Sequence, residues 1–202
     1  MIFHLFGGGI FLIVIHHLGN LLVGMIKLKN LFFEPYLSEK VILNRVKELS
    51  NSLNIDYQAK KPIFLAVLNG SFMFMSDICK EISVDMSVSF IKMASYSGLK
   101  SDGKVRELIG LDESLKDKDV IIVEDIVDTG VSMAHLLEII NNEEPRSVEV
   151  VSLLIKPEAL KEPIKVKYIG FEIPDLFVVG YGLDYQGLGR NLKDIHQIVE
   201  KN

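Results

Sequence analysis

The chain has 202 residues, of which 49% are hydrophobic and 24% are charged, so it is long enough for one substantial α/β domain and too apolar for a disordered segment. Its formal net charge of −5 offers no basic surface for nucleic acid. The single cysteine, Cys79, cannot form an internal disulfide, which favours a reducing compartment, the cytoplasm.

Residues 1–24 form an apolar extension without a single charged side chain. Its length matches a membrane span, yet several histidines and five glycines interrupt it, and no Lys or Arg precedes its apolar run as a signal peptide requires. We expect translation to start at Met25, with a membrane anchor or a signal peptide as the alternatives. Residues 25–202 contain no repeat or linker and are predicted to form one domain.

Helices and strands are predicted to alternate along residues 25–202. Pro35 and Ser38 predict the start of the first helix. The predicted strands are short apolar runs that end at glycine, proline or charged residues. This alternation predicts an α/β fold with a central parallel sheet flanked by helices. The predicted helices cover residues 35–54, 72–81 and 133–142, and the predicted strands cover 63–68, 88–93, 120–123, 148–155, 165–172 and 177–182.

The loops after the predicted strands are expected to lie along one edge of the sheet, where ligands bind in folds of this kind. One of them, residues 95–110, is polar, contains three glycines and is long enough to act as a mobile lid. The loops of this edge are residues 69–71, 95–110, 124–132, 156–158 and 183–190.

Residues 120–132, VIIVEDIVDTGVS in one-letter code, carry the strongest chemical signal. Their first four residues predict a strand buried on both faces, and Glu124 and Asp125 follow where it is expected to end. Asp128 then opens a turn, and residues 129–132 lead into a helix whose free N–H groups suit a phosphate. Because the carboxylates can accept hydrogen bonds from sugar hydroxyls or help to hold Mg²⁺, the combination indicates a sugar phosphate.

Three other interpretations of this motif agree less well with its residues. Apolar residues before Glu-Asp also occur in nucleotide hydrolases, but the chain has no G-x-x-x-x-G-K-[ST] phosphate loop. A receiver-type signalling domain, phosphorylated at Asp125, uses acidic residues at strand ends as well, yet it does not need the small hydroxylated residues that follow Asp128. A purely structural role as solvated turn residues leaves three carboxylates beside a phosphate-binding turn unexplained.

The motif at residues 120–132 closely resembles the phosphoribosyl-pyrophosphate (PRPP) motif of type I phosphoribosyltransferases. The other loops resemble the hypoxanthine-guanine branch of that family over residues 25–202, in order. The resemblance implies the family's parallel sheet with a small hood built partly from the C-terminal residues. Residues 68–72 are similar to the pyrophosphate loop, Ser95 and Tyr96 to the start of the catalytic loop, and residues 156–158 and 175–185 to the purine-binding segments.

The resemblance assigns roles around PRPP. Glu124 and Asp125 would bind the ribose hydroxyls, and Asp128 would act as the general base near N7 of the purine. Mg²⁺ would offset the charge of the departing pyrophosphate, with Asp184, Glu124 and Asp125 as its acidic ligands. The 5′-phosphate would be held by Thr129, Gly130, Val131 and Ser132, and the pyrophosphate by Asn69, Gly70 and Arg190.

The resemblance also implies a purine site. Lys156 would donate to the 6-oxo group, which favours hypoxanthine and guanine over adenine. Phe177 would stack on the purine, Val178 would bond it through its backbone, and Asp184 would lie at the same site. The implied activity is purine salvage by a homodimer or homotetramer that binds PRPP and a 6-oxopurine. A transferase that prefers xanthine and a PRPP-sensing regulator without catalysis are the alternatives.

The pyrophosphate and PRPP loops are expected to use their backbone at two positions. Some relatives carry lysine where this chain has Asn69 and Val131, so either position is expected to act through its backbone. The family also has a non-proline cis peptide bond in the pyrophosphate loop, which the resemblance places between Asn69 and Gly70.

Overall fold

The computed structural model describes residues 11–12, 24–94, 106–109 and 114–199, and for 11–12, 93–94 and 106–109 it describes the backbone alone. The chain is organised in two compact units. One unit combines Met1–Ile42 with Leu176–Asn202, and the other is the continuous segment Leu43–Asp175.

Eleven strands and three α-helices are present in the described residues. In chain order the strands are β1 (Phe11–Leu12), β2 (Ile26–Leu28), β3 (Leu31–Leu37), β4 (Ile63–Leu68), β5 (Ser87–Ala94), β6 (Arg106–Ile109), β7 (Asp119–Val127), β8 (Ser147–Ile155), β9 (Tyr168–Glu172), β10 (Val178–Val179) and β11 (Ile195–Ile198). The helices are α1 (Glu39–Asp56), α2 (Phe72–Glu81) and α3 (Val131–Asn142), and Pro157–Ala159 forms one turn of 3₁₀ helix.

The larger sheet confirms the predicted central parallel sheet. Its order is β6-β5-β4-β7-β8-β9, and every neighbouring pair is parallel except the edge pair β5 and β6. Residues 120–123 of β7 are fully buried, as expected for a strand covered on both faces. The alternation of strands with α2 and α3 therefore folds as the sequence predicted.

Strand β7 is longer than the apolar run from which it was predicted. Its ladder with β8 pairs Glu124 with Ser152 and continues to Val127 opposite Ile155. Glu124 and Asp125 are thus strand residues, and the prediction that they follow the end of the strand is wrong. The turn begins only at Asp128, because the backbone pairing with β8 continues past the two carboxylates.

The second sheet is antiparallel and has the order β1-β2-β3-β11-β10. Pro35 lies within β3, so the prediction that it opens a helix is wrong, and α1 begins at Glu39. The strand predicted at residues 177–182 is reduced to Val178–Val179 and pairs with β11. It belongs to this sheet, so the prediction that it extends the parallel sheet is wrong.

The predicted loop at residues 95–110 contains a strand. Residues 106–109 form β6 and pair with β5 in the antiparallel direction. The prediction of a loop is therefore wrong for these four residues, whereas Ser95 and Tyr96 lie outside the described residues. None of the helices in the described part of the chain is long and apolar enough to cross a membrane.

The buried apolar face of α3 packs on the sheet, so truncating a side chain on this face should destabilise the protein. Leu136 is completely buried in the core cluster that includes Ile122 and Val150, whereas its neighbour Leu137 is only partly buried. We expect Leu136→Ala to lower the free energy of unfolding by about 2–5 kcal/mol, the usual cost of a core Leu truncation. Urea denaturation measures this, with Leu137→Ala as the control. Equal losses in the two variants would contradict the assignment of Leu136 to the core.

Candidate active site

The turn between β7 and α3 lies at the N-terminus of a helix. Gly130 caps α3 with φ +78°, and no side chain caps this helix end. The first N–H groups of the helix therefore remain available for an oxygen-rich ligand. A Cβ at Gly130 would lie 3.0 Å from Ile164 Cγ1 and 3.2 Å from the Glu162 carbonyl oxygen. This crowding and the positive φ both favour glycine here.

Backbone hydrogen bonds hold this turn in place from both sides. The N–H of Lys156 donates to the Val127 carbonyl at 3.0 Å, and the N–H of Lys161 donates to the Thr129 carbonyl at 2.9 Å. A cavity of about 300 Å³ opens beside the turn. Its walls bring together six residues of the predicted PRPP site, namely Glu124, Asp125, Asp128, Thr129, Gly130 and Ser132, with Val67, Ile126, Val127 and Met133.

The two carboxylates of β7 have different surroundings. Asp125 is buried, its Oδ1 accepts a hydrogen bond from the Ile126 N–H at 3.0 Å, and the backbone of Gly70 packs directly on its carboxylate. A Cβ at residue 70 would lie 1.6 Å from Asp125 Oδ2, so only glycine fits there without displacing the carboxylate. Burial, followed by the negative charge of Asp125, raises the pKa of Glu124 well above its ordinary value of 4.5.

The raised pKa of Glu124 makes stability depend on pH. A carboxyl whose pKa is higher in the folded than in the unfolded protein binds more protons when the protein is folded. The contribution of Glu124 to the free energy of unfolding is therefore fully present at low pH and is lost as the pH rises above about 4.5. Glu124→Gln removes this loss. We therefore expect the variant to gain melting temperature relative to the wild type, and to gain more at pH 8 than at pH 5.

Thermal unfolding at the two pH values tests this expectation, with Glu138→Gln on α3 as the control for a change of net charge. A gain that is equal at both pH values, or equal in the control, would contradict it. The same variant should bind a sugar diol less well, because the amide offers one acceptor oxygen and no negative charge.

Lys156 is a buried cation in the unit formed by Leu43–Asp175. Its side chain is 7% exposed, and its ammonium lies 3.3 Å from Asp128 Oδ2 and 3.0 Å from Asp175 Oδ1. Asp128 is half exposed, so its carboxylate can also reach a ligand in the cavity. A carboxylate base and a buried donor are therefore adjacent, which allows one group to take a proton while the other donates a hydrogen bond to the same ligand.

In the other unit, Asp184 and Arg190 form an ion pair. Arg190 Nη2 lies 2.5 Å from Asp184 Oδ1, and Arg190 Nη1 donates to the Gly182 carbonyl at 2.7 Å. The second carboxylate oxygen of Asp184 accepts a hydrogen bond from the Gly187 N–H at 2.6 Å. These contacts fix the guanidinium and the carboxylate in one orientation, which suits a site for an anion and its metal ion.

Phe177 belongs to a small aromatic cluster of the same unit. Its ring packs edge-on against Tyr185, with centroids 5.8 Å apart, and lies 6.1 Å from the buried ring of Phe33. Phe177 is nevertheless 44% exposed, so part of its surface is free of these contacts. The following residue, Val178, is held in β10.

The chain resembles characterised proteins over most of its length. The family model described as a phosphoribosyl transferase domain matches residues 34–186. A hypoxanthine-guanine phosphoribosyltransferase of Staphylococcus aureus strain Mu50 is 44% identical over 160 residues, which are 79% of this chain and 89% of the relative. The Bacillus subtilis enzyme of the same name is 40% identical over 157 residues, 77% of this chain and 87% of the relative.

The crystal structure of a Staphylococcus aureus hypoxanthine phosphoribosyltransferase superposes with a TM-score of 0.78 at 43% identity, covering 82% of this chain and 91% of that chain. The chain belongs to the hypoxanthine-guanine phosphoribosyltransferase family. It is therefore a transferase with the type I phosphoribosyltransferase fold, and its parallel sheet and PRPP motif are those of the family.

The phosphoribosyltransferase differs from prediction in its pyrophosphate loop. The cis peptide bond lies between Leu68 and Asn69, one bond before the predicted position between Asn69 and Gly70. The placement at Asn69-Gly70 is therefore wrong. Val131 is half exposed at the first position of α3 and is not among the residues that line the cavity, which is compatible with the expectation that it acts through its backbone.

The described residues contain no group of three or more His, Cys, Asp or Glu side chains that could hold a metal ion by themselves. Hard carboxylate oxygens are nevertheless the side-chain ligands that Mg²⁺ prefers, and it commonly takes one or two of them together with substrate phosphates and water. The acidic residues predicted for Mg²⁺ carry oxygens of this kind.

Sequence reasoning missed one residue of this site. Asp175 contacts the Lys156 ammonium, yet the sequence pattern assigned it no role of its own. The signal was available, since residue 175 follows β9 at the same edge of the sheet where Asp128 follows β7. The contact itself depends on the pairing of β8 with β9, which brings residues 19 positions apart together.

Proposed function

We propose that the protein transfers the 5-phosphoribosyl group of PRPP to N9 of hypoxanthine or guanine and releases pyrophosphate. One observation carries this proposal: Asp128 is half exposed at the phosphate-binding turn and lies 3.3 Å from the buried ammonium of Lys156. A base and a 6-oxo donor are thus side by side at the turn that suits the 5′-phosphate. The names of the relatives support the same substrates.

In the proposed reaction, the bond between N9 and C1′ forms as the bond between C1′ and the pyrophosphate oxygen breaks. The purine loses its N7 proton to the Asp128 carboxylate, and the electron pair of the broken bond leaves with pyrophosphate. Proton removal by a positioned carboxylate is worth about 10²–10⁴ in rate. Asp128 lines the cavity from the turn that precedes α3, which supports its assignment as the base.

PRPP binding is assigned to the β7–α3 region and the pyrophosphate loop. Glu124 and Asp125 accept hydrogen bonds from the two ribose hydroxyls, and the N–H groups and hydroxyls of residues 129–132 hold the 5′-phosphate. Asn69 and Gly70 offer backbone groups to pyrophosphate. Gly70 is in direct contact with Asp125, so the ribose and pyrophosphate positions share one wall.

The purine is recognised by Lys156, by Phe177 and by the backbone of Val178. An ammonium donates to a 6-oxo group and cannot accept from the 6-amino group of adenine, which is the reason for the expected preference. The exposed part of the Phe177 ring is available for stacking on a purine.

The leaving group is assigned to Asp184, Arg190 and Mg²⁺. The metal, when bound, neutralises the charge that develops on pyrophosphate. Asp184 would supply a carboxylate oxygen to it, and Arg190, which is paired with Asp184, would supply N–H donors to the same phosphates. Ser95 and Tyr96 are proposed to begin the loop that covers the reacting centre and excludes water.

A spectroscopic assay with PRPP, Mg²⁺ and each of hypoxanthine, guanine, xanthine and adenine tests the proposal. We expect IMP from hypoxanthine and GMP from guanine, with little product from adenine. Product from xanthine alone would redirect the proposal to a xanthine transferase, and PRPP binding without product from any base would favour a PRPP-sensing regulator. Sedimentation of the purified protein tests the expected homodimer or homotetramer, and fractionation of cells tests the cytoplasmic location.

A further inference from the structure

Three charged residues stand in a row at the carboxyl ends of three neighbouring parallel strands. Asp128 follows β7, Lys156 follows β8, and Asp175 comes three residues after the end of β9. The Lys156 ammonium lies between the two carboxylates, 3.3 Å from Asp128 Oδ2 and 3.0 Å from Asp175 Oδ1. The shorter contact is the one to Asp175, a residue with no role in the proposed phosphoribosyl transfer.

Backbone hydrogen bonds fix the spacing of this row. The Lys156 N–H donates to the Val127 carbonyl at 3.0 Å, which ties the end of β8 to the end of β7. The Ile173 N–H donates to the Ile155 carbonyl at 2.9 Å, which extends the pairing of β9 with β8 to within two residues of Asp175. The sheet itself thus places a carboxylate on either side of the ammonium.

The two carboxylates differ in what happens to them during the proposed reaction. The Lys156 side chain is 7% exposed, and a buried ammonium is costly unless a negative group remains beside it. Asp128 becomes neutral when it takes the purine proton, so it cannot be that group throughout the reaction. Asp175 keeps its charge, and it is the nearer partner.

We propose that Asp175 is a positioning residue that holds the Lys156 ammonium for the 6-oxo group of the purine; this inference rests on the proposed function. Without the Asp175 charge, Asp128 is the one remaining carboxylate partner of the ammonium among the described residues. Lys156 then moves toward Asp128, away from the oxo group. Asp175 therefore serves recognition of the base and not binding of PRPP.

The test is Asp175→Asn, which removes the charge and keeps the size of the side chain. We expect the KM for hypoxanthine to rise about tenfold, equivalent to the loss of one charge-assisted hydrogen bond of roughly 1.4 kcal/mol. The KM for PRPP should be unchanged, and kcat should fall less than the KM rises. The preference for hypoxanthine over adenine should narrow, and Asp175→Glu should restore part of it.

Two controls separate positioning from other effects. Glu172→Gln removes an exposed carboxylate at the end of the same strand and should leave both KM values unchanged. In a Lys156→Met background, Asp175→Asn should change the KM for hypoxanthine little, because the group through which Asp175 acts is already gone. Because Asp128 remains beside the ammonium in the free protein and the Asp175 side chain is 69% exposed, the melting temperature of Asp175→Asn should stay close to that of the wild type.

Each failure has a different meaning. A wild-type protein that makes no nucleotide would defeat the proposed function itself. An active wild type whose Asp175→Asn variant keeps its KM for hypoxanthine would overturn the positioning role alone. An equal rise of that KM with and without Lys156 would also overturn it, because Asp175 would then act on the purine directly.

Discussion

Replacing Asp128 with asparagine is expected to lower kcat by about 10²–10⁴. The amide cannot take the N7 proton, so water has to accept it instead. PRPP affinity should be little changed, because the backbone of residues 129–132 and the Glu124 and Asp125 carboxylates remain. Single-turnover rates with hypoxanthine measure the first expectation, and fluorescence or calorimetric titration with PRPP and Mg²⁺ measures the second.

Glu138→Gln is the matched control for Asp128→Asn, since it removes one negative charge from α3 at a distance from the turn. It should keep wild-type turnover. Unchanged turnover in Asp128→Asn would remove Asp128 from the role of base. A fall in PRPP affinity as large as the fall in kcat would instead assign Asp128 to substrate binding.

Gly70→Ala is expected to raise the KM for PRPP by roughly 10–100-fold, the cost of losing a hydrogen bond to a charged group. The added Cβ would lie 1.6 Å from Asp125 Oδ2, so the buried carboxylate has to move from the position proposed for the ribose diol. The KM for hypoxanthine should change much less. Steady-state kinetics with each substrate varied in turn measure both values.

The route through Asp125 can be tested with a double variant. Adding Gly70→Ala to Asp125→Ala should cost far less than adding it to the wild type, because the displaced carboxylate is no longer there. Full additivity of the two changes would show that residue 70 acts on PRPP by another route.

Much of the parallel sheet could be predicted because its signals are local. The apolar run at residues 120–123 and the helix start at residues 130–132 define strand, turn and helix within a short stretch. The end of β7 could not be predicted in this way. Glu124 and Asp125 are polar, but their backbone pairing with β8 depends on residues almost thirty positions away.

The resemblance implied a small hood, but most strands of the antiparallel sheet were not predicted, for physical reasons that apply to its short strands. Strand β3 contains Pro35, which a local pattern assigns to a helix start, although an antiparallel ladder tolerates proline where no N–H is needed. Strand β11 mixes polar and apolar residues and pairs with β3 across more than 150 positions. No local signal marks such a pairing.

The candidate site residues that lie in the PRPP motif could be predicted one by one from the sequence. The contact of Gly70 with Asp125 and the contact of Lys156 with Asp175 could not be predicted, because each joins residues on or next to two neighbouring strands, whose distance is set by the sheet order. Sequence alone names the side chains, and the order of the strands decides which of them touch.

The position of β11 has a consequence for synthesis on the ribosome. Residues 43–175 form a continuous unit, so all strands of the parallel sheet have been made before β10 and β11 emerge. The antiparallel sheet, in contrast, needs β11 between β3 and β10, and β11 ends at Ile198, four residues before the end of the chain. Domains generally fold as units as they emerge. A chain that lacks residues 195–202 should therefore still contain every strand of the parallel sheet, while β3 lacks its partner β11.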